Sequence, residues 1–166
     1  RKGKNMKTLT INGNEYKLEF TFEASEHKDT VQKMFKILSG AYLMRKGVVI
    51  DDADEEKAKE AMINAMIDGS AEMVADVPHI VKSAFYAGLL EHNPKSEEEA
   101  YSLMKEYMKE NKISYRKLFE DIKECMEDDG FFDLSGLTEM LQEMNGGAKK
   151  KTPKVPQDHK KSTSTK

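Results

Sequence analysis

The chain has 166 residues, of which 38% are hydrophobic and 34% charged, a length that leaves room for one ordinary domain and excludes a large multidomain enzyme. No run approaches the roughly 18 apolar residues needed to cross a bilayer, and no charged-then-apolar secretion signal opens the chain, so the reading is a soluble intracellular protein without membrane contact. The formal charge of −3 divides in two: the segment from Gly146 holds seven lysines against Asp158 (+6), and the other 145 residues hold 20 basic and 29 acidic side chains (−9), a balance that disfavours nonspecific binding of nucleic acid.

Residues 1–5 precede the first methionine, Met6, and are read as a non-native remnant. Lys7 to Ile11 and Glu15 to Phe22 alternate with a period of two around Asn12-Gly13-Asn14, and Asn-Gly is the strongest short signal for a tight hairpin. Leu9 and Ile11 share one face of the first predicted strand; Tyr16, Leu18, Phe20 and Phe22 share one face of the second. A lone hairpin is marginal, so this apolar face calls for helices to cover it.

From Ser25 to about Met44 the apolar positions Val31, Met34, Phe35, Leu38, Ala41 and Tyr42 recur at helical spacing. Gly47 to Asp52 reads as a break. Asp52 and Glu55 then resemble a capping box for a second helix with Ala58, Ala61, Met62, Ala65 and Met66 on one stripe, stopped at Gly69. Pro78 sits where a third helix would begin, with Val77, Ile80, Val81, Ala84 and Phe85 inward and Asn93-Pro94 as its end. Ser96 and Glu99 form a capping box for a fourth helix bearing Ala100, Leu103, Met104, Tyr107 and Met108. Ser114 caps a fifth with Tyr115, Leu118, Phe119, Ile122, Cys125 and Met126, closed by Asp128-Asp129-Gly130. A short last helix runs from Asp133 to Met144, before the stop at Asn145-Gly146-Gly147. The fold class expected is therefore mainly α (α+β): one domain over residues 6–145, an N-terminal β-hairpin packed on five or six amphipathic helices. Residues 146–166, rich in Lys, Pro, Ser and Thr, carry too little apolar surface to offset the entropy of ordering and are expected to be disordered.

Motifs for chemistry are scarce. There is no G-x-S-x-G, phosphate-binding loop, G-x-G-x-x-G or H-E-x-x-H. His27, His79, His92 and His159 include no pair at i+3 or i+4, so no helix offers a ready metal pair. Reading Asp128 as the first residue of a calcium loop places Glu139 at position 12 but Asp133 where glycine is required, which rejects the site. The acidic run Asp51–Glu56 suits the positive end of a helix dipole. Cys125 falls on the apolar stripe of the fifth helix and is expected to be a buried, protonated thiol. No catalytic residue, metal or cofactor is expected.

Eleven methionines remain. Met62, Met66, Met104, Met108, Met126, Met140 and Met144 all lie on helical stripes, where thioethers either fill a core or make an adaptable binding surface. The last helix is short, follows an exposed-looking Phe131-Phe132 pair and precedes a polar tail, so its apolar residues are the candidate partner-binding set: Phe131, Phe132, Leu134, Leu137, Met140, Leu141 and Met144.

Met6 to Ala24, MKTLTINGNEYKLEFTFEA, resembles the opening of tail assembly chaperones of long-tailed bacteriophages of Gram-positive bacteria and their prophages. Those proteins begin with a lysine-rich strand, an Asn-Gly turn and a second strand ending in Phe-x-Phe or similar, then continue as small acidic helical proteins. The resemblance implies an assembly factor in the host bacterial cytoplasm that coats the tape measure protein, helps recruit tail-tube subunits, self-associates along its client and is absent from the virion. It also implies a longer frameshifted product, with Ala148-Lys149-Lys150-Lys151 compatible with a slippery codon run. The alternative function is a small intracellular adaptor that binds one folded partner, through the basic tail.

Overall fold

The computed structural model describes residues 7–42 and 55–146. Among these, a two-stranded antiparallel hairpin precedes seven helices. The hairpin joins β1 (Lys7–Ile11) to β2 (Asn14–Leu18), with Leu9 opposite Tyr16 and Ile11 opposite Asn14. Asn12 and Gly13 take φ of 50° and 77°, the paired left-handed geometry that a two-residue hairpin turn demands and that Asn-Gly tolerates. Leu9, Ile11 and Leu18 are buried on the inner face. The turn is held outside by α4 (Glu97–Asn111): the Asn12 N–H donates to Glu110 Oε1 at 3.1 Å, and its side-chain amide to Glu106.

The second strand stops at Leu18, short of the expected Phe22. The next two amides find partners outside the ladder: Glu19 N–H donates to the Gly88 carbonyl at 3.0 Å and Phe20 N–H to Asp129 Oδ2 at 2.8 Å. Phe20 thereby enters the core, while Phe22, placed on the same inner face by alternation, opens α1 (Phe22–Glu26) and is 67% exposed. The expected long helix from Ser25 is likewise two pieces. His27 is extended (ψ 94°) between α1 and α2 (Lys28–Leu38).

The largest departure is α3 (Glu55–Leu89), a single helix of 35 residues where two were expected. Gly69 does not stop it and Pro78 lies inside it. An interior Gly costs about 1 kcal/mol and an interior Pro about 3, less than what burying Ile80, Val81, Ala84, Phe85, Ala87 and Leu89 returns. The carbonyl that Pro78 leaves without a helical donor belongs to Val74, a residue that is 66% exposed. The expected break at Gly47–Asp52 and the Asp52 cap lie outside the described residues, as does the tail beyond Gly146.

The next two helices follow the sequence signals. In α4, Ser96 Oγ accepts from Glu99 N–H at 3.2 Å and the Glu99 carboxylate accepts from Ser96 N–H at 2.9 Å, closing the capping box. Ser96→Ala is expected to cost about 1 kcal/mol, read as a lower urea midpoint. In α5 (Tyr115–Asp129), Ser114 Oγ accepts from Lys117 N–H, and Gly130 ends the helix in the left-handed conformation. Ala100 and Met104 from α4, with Leu118, Ile122 and Met126 from α5, meet the carboxyl-terminal half of α3 beneath the hairpin.

The last expected helix is also divided, into α6 (Phe131–Leu134) and α7 (Leu137–Gly146). Gly136, at φ 76°, turns the chain between them in a conformation that a Cβ would disfavour. No described helix is long and apolar enough to cross a membrane.

Candidate docking surface

The C-terminal residues expected to bind a partner do not form one face. Phe131 and Leu137 are buried, which corrects their assignment as contact residues. The Phe131 ring lies edge-on to Phe20, centroids 6.2 Å apart, and edge-on to its neighbour Phe132 at 5.5 Å. The exposed-looking aromatic pair is therefore half core: hydropathy sees two phenylalanines, and only the turn at Gly130 decides which one points inward. Leu134, Met140 and Met144 are exposed, as expected of a binding face, and Phe132 and Leu141 are half-buried. Those two, with Leu38 of α2, Thr138 and Gln142, line an open cleft of about 300 Å³ rimmed by Lys123 and Glu127.

A second apolar surface lies upstream, on α3. Upstream of Val77, α3 exposes Met62, Ile63, Met66, Ile67 and Val74, each by about half or more. Two rows run along this helix at spacings of three, four and seven. Met62, Met66 and Met73 continue into Ile80, Ala84 and Ala87; Ile63, Ile67 and Val74 continue into Val81 and Gly88. Downstream of Val77 these rows are the core. Upstream, among the described residues, they are the same helix face without the same cover. Met62 and Met66 had been placed on a stripe from sequence. Ile63, Ile67 and Val74 lie off that stripe when Gly69 and Pro78 mark helix termini, and spacings of four and seven read through both residues bring them onto one face.

Where the ridge meets the body, Tyr42 Oη donates to Asp76 Oδ2 at 2.8 Å and Lys36 Nζ sits 3.2 Å from the same oxygen and 3.6 Å from Glu72. The Tyr42 hydrogen bond, and then Lys36, hold the Asp76 carboxyl below its usual range against the opposing effect of burial. Asp121, between Lys117 (2.7 Å) and Lys7 (3.5 Å), is also held low: burial raises it, and the two lysines together outweigh that. Both carboxyls have folded values below their unfolded ones near 4. Their contribution to stability is therefore complete above that value and lost as pH falls through the depressed range. Urea midpoints are expected to hold from pH 7 to 5 and drop below pH 4, with a shallower drop in Tyr42→Phe.

The polar cleft between α2 and α3, about 220 Å³ and lined by His27, Asp29, Lys33, His79 and Ser83 among others, is internally paired. His27 Nδ1 lies 2.8 Å from Thr30 Oγ1, which lies 2.9 Å from Ser83 Oγ. Burial raises the Asp29 carboxyl, but hydrogen bonds from Lys33 and Ser83 bring it below its usual value. The histidine is thus directed at Thr30, and the Thr30 and Ser83 side chains bonded behind it are both buried. Among the described residues, no three His, Cys, Asp or Glu side chains are placed to share a metal ion. Cys125 is buried and its thiol is pushed up to about 11, chiefly by burial, with Asp129, Asp128 and Glu124 adding to it and Lys7 opposing. It is expected to resist a thiol reagent at pH 8 in the folded protein and to react in full in urea.

The arrangement defines a helical protein whose prominent surface feature is an uncovered apolar helix face. No protein-family model, curated protein or solved structure matches the chain.

Proposed function

We propose that this protein is a non-catalytic assembly chaperone that shelters the apolar seams of a helical client. The observation that carries the reading is the ridge of Met62, Ile63, Met66, Ile67 and Val74, five large apolar side chains left open on one helix whose carboxyl-terminal half is buried in the core. Scattered apolar residues on a surface are ordinary; a contiguous row at helical spacing is a docking face for another helix. Methionines at two of the five positions suit clients of varied shape. The exposed Leu134, Met140 and Met144 offer a second apolar contact.

Taken with the resemblance of residues 6–24, the client is the tape measure protein of a long-tailed phage. The chaperone coats it in the host bacterial cytoplasm, helps recruit tail-tube subunits and is displaced before the virion is complete. Several copies lie side by side on one client, so contacts that are individually weak enough to release become collectively strong. The acidic domain keeps the coated complex apart from its neighbours.

Co-expression with tape measure fragments tests this reading. The expected result is a soluble complex containing several chaperone copies per fragment, by light scattering after gel filtration. Fragments that aggregate equally with and without the chain, with no complex recovered, would overturn it. A gene without an overlapping downstream frame would remove the longer frameshifted product while leaving the chaperone.

A further inference from the structure

The ridge is bordered by acid. Glu56 and Glu60 stand at the amino end of the row that continues through Ile67 and Val74, and both are exposed. Glu72 and Asp76 border the methionine row on its other side. Lys59 falls on the ridge itself at its amino end, and Lys57 and Asp68 lie behind it. Lys36, reaching over from α2, pairs with both Glu72 and Asp76 on this border. Among the described residues, four carboxylates border the ridge against two ammonium groups, Lys59 and Lys36, on a chain whose first 145 residues carry a sequence charge of −9.

From this juxtaposition we infer that the occupant of the α3 ridge is an amphipathic helix whose apolar seam is flanked by lysine or arginine. The inference rests on the reading of the ridge as the client face, and adds to it the rule by which clients are chosen. An apolar seam alone binds any greasy helix; the flanking charge decides which one approaches and in what orientation, because an acidic helix meets like charges on both borders. The same rule disfavours a second copy of this chain, which would bring an identical acidic border. The ridge can therefore stay open at cellular concentration without self-pairing, and copies gather on the client instead.

Two synthetic helices with the same leucine and methionine seam, one flanked by lysines and the other by glutamates, provide the probe. Titrated into the full chain at about 50 mM salt, the lysine helix is expected to bind at least tenfold tighter. That ratio should shrink at about 500 mM, where the screening length falls to roughly 4 Å. Glu56→Lys with Glu60→Lys, both at exposed positions, should reduce or reverse the preference, with the melting temperature checked to confirm folding. Equal affinity for both helices at low salt, or a charge reversal without effect, would overturn the rule. So would a micromolar dimer of the chain alone that Met66→Asp dissolves. Tape measure fragments captured through the ridge by wild type and charge-reversed chain alike sink the charge rule and leave the chaperone reading. Discrimination between the two helices, with tape measure fragments left unbound, does the opposite.

Discussion

Phe20→Ala is expected to lower stability by about 3–5 kcal/mol, the range for removing a fully buried aromatic ring, and to shift the urea midpoint accordingly. Phe20 sits where three parts of the chain converge. Its ring is completely buried, meets Phe131 edge-on and lies against α3 at Gly88. A Cβ at Gly88 would stand 2.7 Å from Phe20 Cζ, closer than atoms approach, so that glycine is what lets the ring reach the helix. Gly88→Val should therefore destabilise too, by about 1–3 kcal/mol from overpacking. In a Phe20→Ala background its cost should shrink, because the ring it collides with is gone. A loss below about 1 kcal/mol for Phe20→Ala would mean that the hairpin is not docked on α3 in this way.

The second large effect concerns binding and leaves stability nearly untouched. Met66→Asp with Ile67→Asp is expected to weaken capture of a helical client by at least about 100-fold, since burying each such side chain is worth about 1.5–3 kcal/mol and a carboxylate in its place would have to be desolvated. Both positions are exposed, Ile67 by 60%, so the melting temperature should move by only a few degrees. Equivalent changes at Leu134 of α6 and Met140 of α7 should weaken capture less, because those two helices offer fewer uncovered residues. If the Leu134 and Met140 changes abolished capture and the α3 pair did not, the client face would lie at the C-terminus, where the sequence reading places it.

Local signals were legible wherever two residues a few positions apart decide the geometry. The Asn12-Gly13 turn, the Ser96 and Glu99 box, the Ser114 cap and the Gly130 stop all appear as read. Strand alternation was legible only as far as the ladder extends. It carried Phe22 to the core face, whereas the amides of Glu19 and Phe20 are bonded to Gly88 and Asp129, partners far away in the chain.

The candidate site was half legible. Its methionines were on the page, but their helix was read as two because glycine and proline are priced there by local propensity alone. Burial of the carboxyl-terminal half of α3 overrides that price. Once Gly69 and Pro78 lie inside one helix, the stripe that ends in the core must begin outside it, and the exposed ridge follows. The C-terminal set erred in the opposite direction: Phe131 and Leu137 looked like surface because their helix is short, and the packing of Phe131 on Phe20 takes that part of the chain into the core.

Sequence by itself determined the helical class, the hairpin turn, the caps and the division between acidic domain and basic tail, because each depends on neighbours in the chain or on composition. Tertiary structure alone decided which apolar residues are covered. A stripe at helical spacing has the same pattern whether it faces the core, a partner or water, and only the reach of the other elements determines where along α3 the cover ends.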